Sequence, residues 1–368
     1  MSSEVIQKEQ PEPSILQVVK TLPKIELHRH LEGAVRLETL IDIARHNQIE
    51  MPEYDVETLR PFVQMMPGEH RSMQNFLSKF KTIRQFFLSK EVISRIAREA
   101  VIDAAQDNIK YMELRFTPVA LVAMSKAKIS DAVTWVCDAV EQATSEYDVD
   151  VRLIVSMNRH ESLQIGEQAV DAAIAHMDRG VVAVDLAGRE EHFPASLFRS
   201  LFHRAQDAEL NVTIHAGEWE GAQSIWDAVG NLGATRVGHG VRVLEDYGVL
   251  TILAQQGVVL EVCPTSNIHS GIFSTLRDHP LPELVEKGLR VTINTDDPLI
   301  SDITLSDELA RVMTHMRFTL EDIKRHTMIA ANAAFLPDDE RAVLVSNFKE
   351  WLYPPHSNDT SYYDVAST

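Results

Sequence analysis

The chain has little that would staple, anchor or export it. Its 368 residues include two cysteines, Cys137 and Cys263. Two cannot build the disulfide framework of a small secreted domain, and such low usage fits a reducing cytosol. No run reaches the ~18 apolar residues of a membrane span. Residues 1–14 are polar and lack an apolar h-region, so no secretory signal is expected and the expected location is cytoplasmic. Cationic charge is also short, with 35 Lys and Arg against 54 Asp and Glu and a net charge of −19. Binding a phosphate backbone needs clustered Lys and Arg, so neither nucleic acid nor a membrane is an expected partner. An acidic surface suits solubility and a small uncharged or cationic ligand. No Walker-type loop and no Gly-x-Ser-x-Gly elbow is present. No Gly-x-Gly-x-x-Gly turn follows the first strand, and the zinc signature pairing His-x-Glu with Pro-Cys-x-x-Cys is missing.

What the sequence does contain is an ordinary globular composition, 45% apolar and 24% charged. Eight short β-rich runs alternate with helical patterns. The runs are Ile25–His28, Tyr111–Phe116, Val151–Met157, Val181–Leu186, Asn211–His215, Thr235–Gly238, Val258–Cys263 and Arg290–Asn294. Several are almost continuously apolar, as expected of strands buried on both faces. Between them, Leu37, Leu40, Ile41 and Ala44 follow a helical i, i+3, i+4, i+7 spacing. Ile225, Ala228, Val229 and Leu232 repeat it, as do Leu309, Val312, Met313 and Met316. Thr319 with Asp322 predicts a helix N-cap. Eight alternations predict an α/β fold, a closed (β/α)8 TIM barrel, with extra helices inserted after the first strand to fill the long gap from His30 to Tyr111. The expected organisation is a polar tail over 1–14, a single catalytic barrel over 15–353 and a second polar tail over 354–368. The Met- and Phe-rich segment 62–87 reads as helix core, with a lid over the barrel mouth as the sharper alternative.

The most informative local feature is His28-Arg29-His30 at the end of the first run. Residues i and i+2 of a strand share a face, so both imidazoles aim at one point. In this fold the active site lies at the C-terminal ends of the strands. Titratable groups recur there: Glu32 beyond strand one, Asp185 on strand four, His215 and Glu218 after strand five, His239 after strand six, Asp296 and Asp297 after strand eight. Three His and one Asp make a mixed nitrogen and oxygen shell for one zinc, with a position left for water whose pKa would fall toward ~7. Glu218 is then placed to shuttle a proton and His239 to hold the attacking oxygen. Adjacent carboxylates push their pKa values apart, which makes Asp297 the better candidate to hold a proton. Strand four ends without a Lys, which favours one metal over two. Cys263 reads as a small buried thiol, and histidines elsewhere as structural.

The same residues resemble the adenosine deaminase family of metal-dependent amidohydrolases. The matching pieces are Pro-Lys-Ile-Glu-Leu-His-Arg-His-Leu-Glu-Gly, Tyr-Met-Glu-Leu-Arg-Phe-Thr-Pro, Asp-Leu-Ala-Gly, His-Ala-Gly-Glu, Gly-His-Gly, Cys-Pro-Thr-Ser-Asn and Asn-Thr-Asp-Asp-Pro, in family order from about residue 22 to about 336. The resemblance implies a zinc barrel that replaces the 6-amino group of a purine with oxygen. It implies His28, His30, His215 and Asp296 as zinc ligands and Glu218 and His239 as catalytic groups. His30, Glu32, Asp297 (on N7) and the N–H of Gly188 (on N3) would bind substrate. The implied substrate is adenosine or 2′-deoxyadenosine. Alternatives are adenine, a modified nucleoside such as aminodeoxyfutalosine, or a silent nucleoside-binding barrel. Glu32 departs from the Asp of well-known adenosine deaminases and points toward the adenine branch. Asn-Thr-Asp-Asp-Pro-Leu-Ile resembles the adenosine branch. Arg189 and Trp219 also depart from the usual pattern. The oligomeric state is left open.

Overall fold

In the computed structural model, which describes residues 13–51 and 53–355, the eight apolar runs become eight parallel strands paired in chain order. They are β1 (Lys24–His30), β2 (Ile109–Phe116), β3 (Asp150–Asn158), β4 (Val181–Ala187), β5 (Asn211–Ala216), β6 (Arg236–His239), β7 (Val259–Val262) and β8 (Arg290–Ile293). Side chains join the last strand to the first. The Leu27 N–H donates to Asn294 Oδ1 at 3.0 Å. Beyond it, the Asp296 N–H donates to the His28 carbonyl and the His30 N–H to the Asp296 carbonyl, both at 2.9 Å. The barrel seam therefore lies beside the histidine pair.

The expected insertion after β1 holds four helices: Leu37–Asn47, Val56–Val63, Met73–Ile83 and Lys90–Gln106. Ser72 caps the third and Ser89 the fourth, each accepting a backbone N–H of the first turn. Segment 62–87 sends its larger apolar side chains into the core, with Met65, Met73, Phe76, Phe86 and Phe87 buried, while Phe62 is exposed. It is also docked at the mouth, because the Met65 N–H donates to the Ile300 carbonyl at 2.8 Å, beyond β8. Thr319 and Asp322 form the reciprocal cap expected on the helix Leu320–Ala333. The helical period over Ile225–Leu232 is only partly α: residues Ala222–Trp226 are α-helical, and Asp227–Asn231 widen into a π-turn. Of the predicted tails, only Pro13, Ser14, Pro354 and Pro355 lie within the described residues, and Ser14 caps a first helix, Ile15–Thr21.

Apolar side chains fill the layer between strands and helices, but the barrel interior is charged. Glu113, Arg115, Asp185, Arg236 and Glu261 are all buried there. Arg115 Nη2 donates to Glu261 Oε2 at 2.6 Å, and Arg236 Nε donates to Glu261 Oε1 at 2.7 Å. Buried charges persist where they are paired and hydrogen-bonded. Among the described residues no helix is long and apolar enough to cross a membrane.

Candidate active site at the barrel mouth

β1 aims His28 and His30 inward, β5 adds His215, and the chain leaving β8 adds Asp296. The His30 and His215 Nε2 atoms are 3.1 Å apart. The Nε2 atoms of His28 and His30 each lie 3.3 Å from Asp296 Oδ1. One donor atom from each of the four residues falls within 4.8 Å of all the others. Ligands around a tetrahedral zinc with bonds of ~2.0–2.1 Å stand roughly 3.3 Å apart. His28 Nε2 is buried without a hydrogen-bond partner, and unprotonated imidazole nitrogens crowded this closely repel unless a cation sits among them. The donor set therefore fits a divalent metal. Burial pushes the His30 and His215 imidazoles below their ordinary range, toward the neutral form that ligates. Burial works against the Asp296 carboxylate, but the nearby imidazoles, His28 first, outweigh it and hold Asp296 well below the usual range.

Three of the four candidate ligands are themselves held. His28 Nδ1 lies 2.8 Å from Glu261 Oε2, and His215 Nδ1 lies 3.0 Å from Asp185 Oδ1. Carboxylates that fix the second ring nitrogen set the tautomer and orientation of a ligand histidine. The Ser266 hydroxyl donates to Asp296 Oδ2 at 2.6 Å. Asp185 was legible as a strand-end acid. Glu261, in the middle of an apolar run, and Ser266, known only as part of a motif, were missed as supports.

Glu218 and His239 face one another at 3.5 Å between Oε2 and Nε2, both buried. Asn267 Nδ2 lies 3.1 Å from His239 Nδ1. Burial, reinforced by Asp296 and Glu190, pushes the Glu218 carboxyl well above its usual range, in the direction that favours its protonated form. Asp297 is also pushed well up, by burial and then by Asp296. Its Oδ1 is buried without a partner, and a Cβ on Gly33 would sit 1.8 Å from that atom. Only glycine fits there. His239 and Asp296 take left-handed backbone, at φ 63° and 66°. Non-glycine residues held there carry strain, and such strain concentrates at functional sites.

Glu32 is buried, with Oε1 accepting the Thr117 N–H at 2.8 Å and Oε2 unpartnered. Burial raises its carboxyl. Gly188 has φ +87°, on the wall formed by the exits of β3 and β4. Glu190, which sequence reasoning did not single out, spans to the loop after β5 that carries Glu218. Its Oε1 accepts the N–H groups of Glu218 and Trp219 at 2.8 and 2.9 Å. Its Oε2 accepts the Gly217 N–H at 2.9 Å and the Ser224 hydroxyl at 2.6 Å. Cys263 is buried next to the cluster, and burial pushes its thiol up, away from the thiolate a metal prefers. A cavity of about 630 Å³ adjoins Glu218, bordered by Met73, Trp219, Ser270 and Phe273.

An eight-stranded parallel barrel with three histidines and an aspartate converging at its mouth, beside a buried carboxyl, has the layout of a barrel hydrolase. Comparison with known proteins then sets the family. The family model described as adenosine deaminase matches residues 23–351. An adenosine deaminase from Shewanella loihica is 37% identical over 324 residues, covering 88% of this chain and 97% of the relative. The chain belongs to the adenosine deaminase family and is a hydrolytic deaminase acting on C–N bonds. Among solved structures, an adenine deaminase from Arthrobacter aurescens matches with a TM-score of 0.83 and 28% identity, covering 90% of this chain and 99% of that one. An N6-mAMP deaminase from Arabidopsis matches with a TM-score of 0.81 and 26% identity, over 90% and 99% of the two chains.

Proposed function

We propose that the enzyme hydrolyses adenosine and 2′-deoxyadenosine to inosine and 2′-deoxyinosine with release of ammonia, using one zinc ion per chain. The observation that carries this reading is the meeting of the four-residue donor set with a Glu218 carboxyl that burial pushes toward its protonated form. His28, His30, His215 and Asp296 would hold the zinc, which supplies Lewis-acid activation of water when bound. Glu218 protonates purine N1 and so makes C6 electrophilic. His239, fixed by Asn267, orients the water that adds to C6. Asp297, with its unpartnered oxygen, binds N7 as a protonated donor, and the Gly188 N–H meets N3. As its oxygen adds to C6, water gives a proton to the Glu218 carboxylate; Glu218 passes it to the amine, the C6–N bond breaks and ammonia leaves, and the remaining C6–OH proton restores Glu218 while N1 keeps the proton it received.

The curated relative at 37% identity, an adenosine deaminase, supports a nucleoside. The second reading, free adenine, draws on Glu32 and on the solved adenine deaminase. Glu32 spends one oxygen on the Thr117 N–H, so its extra methylene serves a contact within the protein as well as the substrate side. Ultraviolet-monitored turnover of adenosine, 2′-deoxyadenosine, adenine and aminodeoxyfutalosine on one zinc-loaded preparation tests the choice. A kcat/KM highest for adenosine or its 2′-deoxy analogue supports the first reading, and one highest for either of the other two overturns it.

A further inference from the structure

Asn158 closes β3 at the barrel mouth. Two residues earlier on the same face, the Ser156 hydroxyl donates to Asp185 Oδ2 at 2.8 Å. Asn158 therefore stands one layer nearer the mouth than the carboxylate that orients His215. Its side chain is 5% exposed, and its Nδ2 has no hydrogen-bond partner. The carboxamide makes no hydrogen bond to the protein among the described residues, while the backbone carbonyl accepts the Glu161 N–H at 3.0 Å. A buried amide nitrogen that donates to nothing in the fold is unfavourable and asks for an explanation. A Cβ on Gly188 would lie 3.3 Å from Asn158 Oδ1, so the amide stands directly against the Gly188 peptide.

The substrate supplies the missing acceptor. On the proposed function, C6 sits at the metal and the Gly188 N–H meets N3, the ring atom opposite C6. N3 has one in-plane lone pair, and the Gly188 N–H uses it. Along the same edge the next substituent-bearing atom is N9, which carries the sugar. We propose that Asn158 is a specificity-determining residue for the nucleoside, its Nδ2 donating a hydrogen bond to a ribosyl hydroxyl beside the Gly188 wall. The inference rests on the 6-aminopurine reading and adds to it the residue that recognises the sugar. A site built to bond a substrate hydroxyl discriminates against analogues that lack it, because its buried group is then left unpaired.

The test is a double-mutant cycle in which one partner is on the substrate. The zinc-loaded full-length wild type, Asn158→Leu and Asn158→Asp are assayed with adenosine and its 2′-, 3′- and 5′-deoxy analogues. Leucine matches the shape of asparagine without the donor, and aspartate matches its size and removes the donor. With wild type, one of the three analogues should lose roughly 10- to 100-fold in kcat/KM, the range of a single buried hydrogen bond. Both variants should lose a similar factor on adenosine and nothing further on that analogue. Zinc content and melting temperature report any folding change separately. A variant that slows all four substrates by the same factor, or none of them, overturns the inference while leaving the deaminase reading intact. A wild type that turns over none of the four overturns the reading beneath it.

Discussion

Glu190 grips Glu218 by its backbone, not by its side chain: Oε1 of Glu190 accepts the Glu218 N–H at 2.8 Å. The same carboxylate takes the neighbouring N–H groups of Gly217 and Trp219, so three consecutive peptides converge on one side chain. Its charge also favours the protonated form of Glu218. Glu190→Gln leaves one acceptor oxygen and removes the charge. A misplacement of about 1 Å at a catalytic group costs ~10²-fold, so kcat should fall by up to that factor with zinc content unchanged. The loss of negative charge lowers the Glu218 pKa, and a reaction that needs protonated Glu218 should therefore lose its activity at a lower pH. A pH–rate profile whose alkaline limb does not move would remove Glu190 from this role.

Glu218→Gln keeps the size of the side chain but cannot release a proton. Turnover should fall by roughly 10²–10⁴-fold, the range for a lost general acid or base, while bound metal stays near one per chain. Near-normal activity in the metallated variant would exclude Glu218 as the proton carrier.

Asp296→Ala removes a proposed ligand, and Glu261→Gln weakens the partner that orients His28 across 2.8 Å. The first should lower zinc content and activity together. The second should lower zinc affinity by roughly 10–100-fold, as loss of an outer-shell partner does. Metal analysis after dialysis against a graded chelator measures both. A fully metallated and active Asp296→Ala enzyme would mean that the ligand set is wrong.

Glu308 gives a stability prediction. It is fully buried under the short helix Pro264–His269 that follows β7, accepts the Thr265 N–H at 2.7 Å and is close to the Thr265 hydroxyl. Burial raises its carboxyl from 4.5 to about 7. The folded state thus binds the proton more tightly than the unfolded state does. Stability contributed by this group is complete below pH ~4.5 and declines as pH rises toward about 7, by on the order of 3 kcal/mol in all. Glutamine mimics the protonated form. Glu308→Gln should match wild type near pH 5 and exceed it in melting temperature at pH 8. Equal melting temperatures at both values would show that Glu308 does not titrate in the folded protein.

Much of the site could be read before any coordinates. His28 and His30 follow from strand parity, and His215, Glu218, His239, Asp296 and Asp297 from the rule that a barrel works at its strand ends. The structure brings the four proposed ligands within reach of one ion and sets Glu218 against His239. The supporting residues were not readable in this way. Glu261 lies in an apolar run, where one acid gives no periodic signal, and its partner His28 is 233 residues away in the chain. Glu190 follows the motif that ends in Gly188, but its three backbone donors lie 27 to 29 residues further on.

The sequence by itself determined the alternation of strand and helix, the barrel it implies and the residue types at the strand ends, because these depend on short-range periodicity and local turn chemistry. Only the tertiary structure decided which buried charge faces which imidazole, which carboxyls keep their protons and which amide is left without a partner. Those properties come from desolvation and from contacts between distant parts of the chain, and neither is written in the order of neighbouring residues.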